Sequence, residues 1–230
     1  MASFHSNSDI LIAKGFVVDT IDGLAQHVGG LESSITHHQL QQSTSRTNPY
    51  AGWGAVDAIW RSLVADLIPS EHKHSHEALS LFIRQCRSSK STTSISKRYT
   101  FANWYQANKS LVVAGRTIEE WGNDPNIPWT DDGLESEGSE TDLFHYRLAS
   151  HWRLRRLVTT MKGYAGLGPM SCRPGDQICI ILGCCTPLIL RKFDDHWENV
   201  GECYVHGIMH GEAMIDLDAG KYELQDFEIW

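Results

Sequence analysis

No run of apolar residues in this chain is long enough to cross a bilayer. The longest, residues 178–185, contains a glycine and falls well short of the roughly 20 apolar residues a spanning helix needs. Basic residues are scarce too: Lys plus Arg number 20 against 28 Asp plus Glu, a formal net charge of -8. Affinity for nucleic acid rests on clustered Lys and Arg, so this balance excludes a broad phosphate-binding face. Only a local group such as Arg153, Arg155 and Arg156 remains for a single anion. The opening MASFHSNSDI lacks the basic-then-apolar order of a secretory signal. Cysteines number six and form no CxxC pair. Cys184 and Cys185 are adjacent, so on a strand they would point to opposite faces. Read as free thiols, all six suit a reducing compartment, and a cytoplasmic protein is expected.

The signatures of cofactor chemistry are absent as well. No GxGxxG follows a strand pattern, no GxxxxGK[ST] occurs, and no GxSxG elbow is present. GYAGLGP, residues 163–169, holds three glycines, but no helix pattern follows to offer an anion-binding N-terminus, so it reads as a turn. His72, His74 and His76 stand two apart, a spacing that suits a metal site on a strand. They fall instead between two helix patterns with no carboxylate or thiol arranged beside them, and read as a solvated loop. Neither a cofactor nor a metal is expected.

What remains is ordinary globular material: 230 residues, 41% hydrophobic and 21% charged, enough for one domain with a sizeable core. Residues 10–22 carry β-branched runs on both sides of Lys14-Gly15, which predicts a strand, a tight glycine turn and a second strand. Residues 55–68 place apolar side chains at helical spacing and stop at Pro69; residues 75–87 repeat the pattern. A longer aromatic helix is predicted over 99–121, an acidic mobile loop over 123–142 and a short helix over 144–154. Strands are predicted at 157–162, 177–182, 188–192, 197–204 and 222–229. The fold class is therefore α+β over residues 1–230: an N-terminal β-hairpin, a helical middle near 50–154 and a C-terminal antiparallel sheet able to close toward a barrel.

Three stretches carry a family resemblance. They are AKGFVVDTI (13–21), AIWRSLVADL (58–67), and the C-terminal run formed by GYAGLGP, PGDQICIILGCCTPLILRK (174–192) and VGECYVHGIMHGEA (200–213). In this order they resemble the C-terminal portion of fungal heterokaryon-incompatibility proteins. The family's signalling module precedes these motifs around an aromatic-rich Trp-Gly pair. Trp53-Gly54 stands in a different context, so a stand-alone relative without that module is expected.

Eight tryptophans are many for this length, and core packing accounts for most such residues. Trp53, Trp60, Trp104, Tyr105 and Tyr164 could instead wall a pocket for a hydrophobic small molecule. Alternation along GECYVHGI would put Glu202, Tyr204, His206 and Ile208 on one strand face. His206, Tyr204, Tyr164 and Arg153 are the candidate hydrogen-bond donors, with His206 the first choice and Glu202 the group that would fix its tautomer. Two functions follow. One is a cofactor-independent cyclase of fungal secondary metabolism, a pericyclase of the Diels–Alder type, which needs only a shaped aromatic cavity and one donor on a carbonyl. The other is a non-catalytic binding or regulatory module derived from a heterokaryon-incompatibility protein.

Overall fold

Residues 11–24 carry apolar side chains on both faces, and the chain uses them as one continuous strand rather than as a hairpin. The computed structural model describes residues 3–4, 10–26, 40–52, 54–66, 101–127 and 154–230. In it, β1 (Ser3–Phe4) pairs with the start of the 14-residue β2 (Leu11–Leu24). The expected turn at Gly15 is thereby corrected. Gly15 lies opposite Gln225 on one side and Ile181 on the other. A Cβ there would run into the carbonyl oxygen of Ile180 and stand 2.9 Å from Ile181 Cδ1. The glycine permits two backbones to approach. Register shifts between Val17 and Asp19 and between Ile21 and Gly23 bend the strand, so that its two halves serve different neighbours.

Helix α1 (Gly54–Leu63) ends sooner than the apolar pattern predicts, because Ala65 and Asp66 adopt positive φ of 49° and 54°. The long helix expected over 99–121 is replaced by four short elements. α2 (Phe101–Asn108) gives way to a small hairpin, β3 (Val112–Val113) and β4 (Arg116–Thr117), and then to α3 (Ile118–Gly122). Two features impose the break. Ala114 and Gly115 have φ of 49° and 84°, a two-residue turn whose twist suits a hairpin. Thr117 and Glu120 then form a reciprocal capping box that starts a new helix. The helix expected over 75–87, all but the last residue of the one expected over 144–154, and the part of the 123–142 loop beyond residue 127 lie outside the described residues.

From residue 154 onward the chain is mostly sheet: β5 (Arg155–Thr160), β6 (Ala165–Pro169), β7 (Gln177–Ile181), β8 (Leu188–Lys192), β9 (Trp197–Glu202), β10 (Tyr204–Val205), the helix α4 (Glu212–Asp218) and β11 (Gln225–Ile229). The GYAGLGP stretch, read as a turn, instead supplies β6, paired with β5 and β10. Its alternating glycines escape a strand pattern that depends on large side chains. The strand order is β10-β6-β5-β2-β11-β9-β8-β7, and β7 also pairs with β2. Five strands, β2, β11, β9, β8 and β7, thus close into a ring, from which β5, β6 and β10 extend. The sheet is mixed, not wholly antiparallel. β11 runs parallel to β9 through the Ile229–Trp197 pair, because α4 intervenes and turns the chain back before it returns.

One buried cluster takes residues from every strand of the ring: Ala13, Cys179, Ile181, Leu190, Trp197, Phe227 and Ile229. A second, with Phe16, Val18, Ile178 and Ile189, covers the other face beside β5 and β10. A third joins α1, α2 and α3 to Leu157 and Ala165 and contains Trp60, Trp104 and Trp121. The turn before β7 is fastened by charge. Asp176 is 3% exposed and accepts hydrogen bonds from Arg191 Nε at 2.8 Å, Arg191 Nη2 at 2.9 Å and the Arg173 amide at 2.8 Å. Among the described residues no helix is long and apolar enough to cross a membrane.

Candidate functional site

One edge of α1 is a fixed charged constellation. Spacings of three and four residues bring helical side chains together, and Asp57 uses both. Its Oδ1 accepts from Trp60 Nε1 at 2.9 Å and its Oδ2 from Arg61 Nε at 2.7 Å. Arg61 Nη1 reaches Asp66 Oδ1 at 2.5 Å, and the guanidinium lies 4.9 Å from the Trp60 ring centroid. Asp66 can do this because its positive φ folds the chain back at the helix end.

Beside it stands a cluster of hydroxyls and imidazole. The His206 amide donates to Ala165 O at 3.0 Å, continuing the pairing of β10 with β6. The Tyr50 hydroxyl accepts from the Ala165 amide at 2.8 Å and donates to the His206 carbonyl at 3.2 Å. One phenol therefore joins the 40–52 segment to both strands. Its ring stands edge-on to Tyr164, centroids 6.0 Å apart, and 5.6 Å from the His206 ring. Tyr204 Oη and His206 Nδ1 are 3.0 Å apart.

Burial pushes the Tyr50 and Tyr204 phenols above their usual range, so both stay protonated near neutral pH. Burial also pushes His206 below its ordinary 6.5; the charges of Asp57, Asp66 and Glu212 oppose this and that of Arg61 adds to it. A neutral imidazole can then accept a hydrogen bond from the Tyr204 hydroxyl at Nδ1 and carry its own proton on Nε2. A pH dependence follows. Because the folded state binds this proton more weakly than the unfolded state, the stability held by neutral His206 is present above about pH 6.5 and lost as pH falls below it. The ring-proton shift of His206 in NMR should titrate with a midpoint below 6.5, and His206→Gln should flatten the acid limb of stability. A midpoint at or above 6.5 would remove this assignment.

The structure brings Tyr164, Tyr204 and His206 together. It puts Trp60, Trp104 and Tyr105 at 0%, 3% and 4% exposure inside the helical core cluster. Glu202 is exposed at the end of β9, where its backbone carbonyl accepts from Arg155 Nη1 at 3.0 Å. The regular alternation expected from Glu202 to Ile208 is corrected: Cys203 leaves the strand, its amide donating to Pro187 O at 3.0 Å. Tyr204, not Glu202, is the group held against His206 Nδ1. Trp53 and Arg153 lie outside the described residues. Sequence reasoning missed Tyr50, Asp57 and Arg61. The spacing of Asp57 and Arg61 on a predicted helix was a usable signal, whereas nothing local distinguishes Tyr50. Among the described residues no group of three or more His, Cys, Asp or Glu is placed to hold a metal ion.

Comparison with known proteins agrees with the ring-closed sheet. The family model of the Het-6 beta-barrel domain matches residues 8–224, from before β2 to just short of β11. Over 87 residues, 36% of this chain, the sequence is 35% identical to heterokaryon incompatibility protein 6, OR allele, of Neurospora crassa. The match spans 12% of the length of that relative. No solved structure matches. The chain, heterokaryon-incompatibility-like and of fungal type, belongs to the Het-6 beta-barrel domain family.

Proposed function

We propose that this domain binds a hydrophobic small molecule against the Tyr50, Tyr164, Tyr204 and His206 cluster and promotes its cyclisation without a cofactor. The reaction class is an intramolecular Diels–Alder or related pericyclic step of fungal secondary metabolism. The observation that carries this reading is the 3.0 Å contact between Tyr204 Oη and His206 Nδ1. It joins a phenol that stays protonated to an imidazole that stays neutral, both partly withdrawn from water. Such a pair can present one N–H to a substrate carbonyl as negative charge grows on its oxygen, and a preformed donor in a poorly hydrated place stabilises that charge. The surrounding rings would hold a flexible polyene in its reactive conformer.

A second reading, a non-catalytic binding or regulatory module, is favoured by the burial of Trp60, Trp104 and Tyr105, which fill the helical core where pocket walls were expected. One experiment separates the two. Purified protein is incubated with candidate polyene intermediates, and mass spectrometry follows isomers of unchanged mass. Under the first reading His206→Ala loses about 10²-fold in turnover, the effect of one missing donor, stays folded, and is partly rescued by His206→Gln. Undiminished turnover in both variants would remove His206 from the mechanism. No turnover by the parent protein would favour the second reading.

A further inference from the structure

The described cysteines divide into two kinds. Cys172, Cys179 and Cys203 are buried in the core clusters. Burial lifts the first two thiols to about 12 and the third higher still, which silences them as nucleophiles near neutral pH. Cys184 and Cys185 are both exposed. They sit outside β7 and β8, in the turn between them, so the opposite-face geometry that keeps neighbours apart on a strand does not apply there. The base of this turn is fixed: Leu182 N donates to Lys14 O at 2.9 Å, Cys184 N to Ile181 O at 3.0 Å, and Cys203 N to Pro187 O at 3.0 Å. A rigid ring of strands thus displays two accessible thiols on consecutive residues, whose Cα atoms are about 3.8 Å apart.

We infer that the Cys184–Cys185 turn is a vicinal-dithiol site that chelates soft, thiophilic species, with trivalent arsenic as the type. Soft thiolate ligands select soft centres, and two on one turn make the second bond intramolecular. With phenylarsine oxide the balance is simple. Two S–H bonds and the arsenic–oxygen bond break, two S–As bonds form, the oxygen leaves as water, and arsenic stays trivalent.

The test uses the full chain with phenylarsine oxide, read by intact mass and peptide mapping. The expected result is one adduct per chain, lighter than simple addition by one water and mapped to residues 184–185. It should survive excess 2-mercaptoethanol and be removed by 2,3-dimercaptopropanol. Cys184→Ser and Cys185→Ser should each hold the arsenical at least about tenfold more weakly, because the intramolecular advantage is lost. Cys86→Ser, a control for the cysteine outside the described residues, should keep it. Circular dichroism of the variants checks that the fold persists. No adduct, an adduct mapped elsewhere, or one equally resistant to 2-mercaptoethanol in both serine variants of the turn would overturn the assignment.

Discussion

Asp176→Ala should cost about 3–5 kcal/mol of folding stability, the loss typical of removing one partner from a buried ion pair. Three donors converge on this carboxylate, two from Arg191 and one from the Arg173 amide, and its side chain is 3% exposed against 17% for Arg191. Arg191 Nη2 also donates to Ser171 O at 2.9 Å, so the pair fastens the turn before β7 onto β8. Glu198 cannot replace Asp176; it stands 3.6 Å from Arg191 Nη1 and is 51% exposed. Without Asp176 the guanidinium, 17% exposed, keeps only the Ser171 carbonyl and the longer, half-exposed contact to Glu198, and the Arg173 amide loses its acceptor. Because a domain holds only about 5–15 kcal/mol in total, the variant should be marginal. Urea unfolding measures this. The Arg191→Met variant and the double variant complete a cycle in which the combined loss is smaller than the sum. A loss below about 1 kcal/mol for Asp176→Ala, the value of an exposed pair, would show that the ion pair does not anchor the turn.

Gly15→Ala should cost about 3 kcal/mol, at the upper end of what overpacking a tight interior does. The atom that the new methyl would meet is the carbonyl oxygen of Ile180, and backbone paired within β7 cannot rotate away as a side chain can. β2 and β7 would have to separate where they close the ring. Gly15→Val should do worse. Gly175→Ala is the control: φ there is 93° with nothing within 4 Å of the added Cβ, so only the left-handed penalty of about 1–2 kcal/mol applies. Hydrogen exchange should localise the Gly15 effect to the β2 and β7 amides. If the Gly15 variant proves as stable as the Gly175 variant, the strands are not held at backbone contact and the seam is misplaced.

Gly15 also shows why part of the fold was illegible. A glycine between two β-branched runs looks the same locally whether it turns the chain or admits a neighbouring backbone. Only the position of Ile180, 165 residues away in sequence, distinguishes the two. β6 was hidden for a related reason, since the glycines of GYAGLGP are there because Tyr204 O and Cys172 Sγ lie close to where their Cβ atoms would be. The break in the 99–121 helix was more accessible, because Thr117 and Glu120 spell a capping box. The aromatic pattern alone reads through it as one helix. At the site, Tyr204 and His206 were selected from their motif and do meet, whereas Glu202 was selected on an alternation that ends when Cys203 leaves the strand.

Local sequence by itself determined the sites of α1, β5, β7, β8 and β11 within a few residues, because periodic burial and turn residues act over a few positions. It also determined the family, through motifs spread along the chain. Tertiary structure decided what depends on distant partners: the single long β2, the ring closed by β7, the parallel step between β9 and β11, and the meeting of Tyr50 with residues more than 100 positions away. Ring closure depends on which backbone edges meet after the strands have twisted and bent. That is a long-range outcome, and no window of neighbouring residues encodes it.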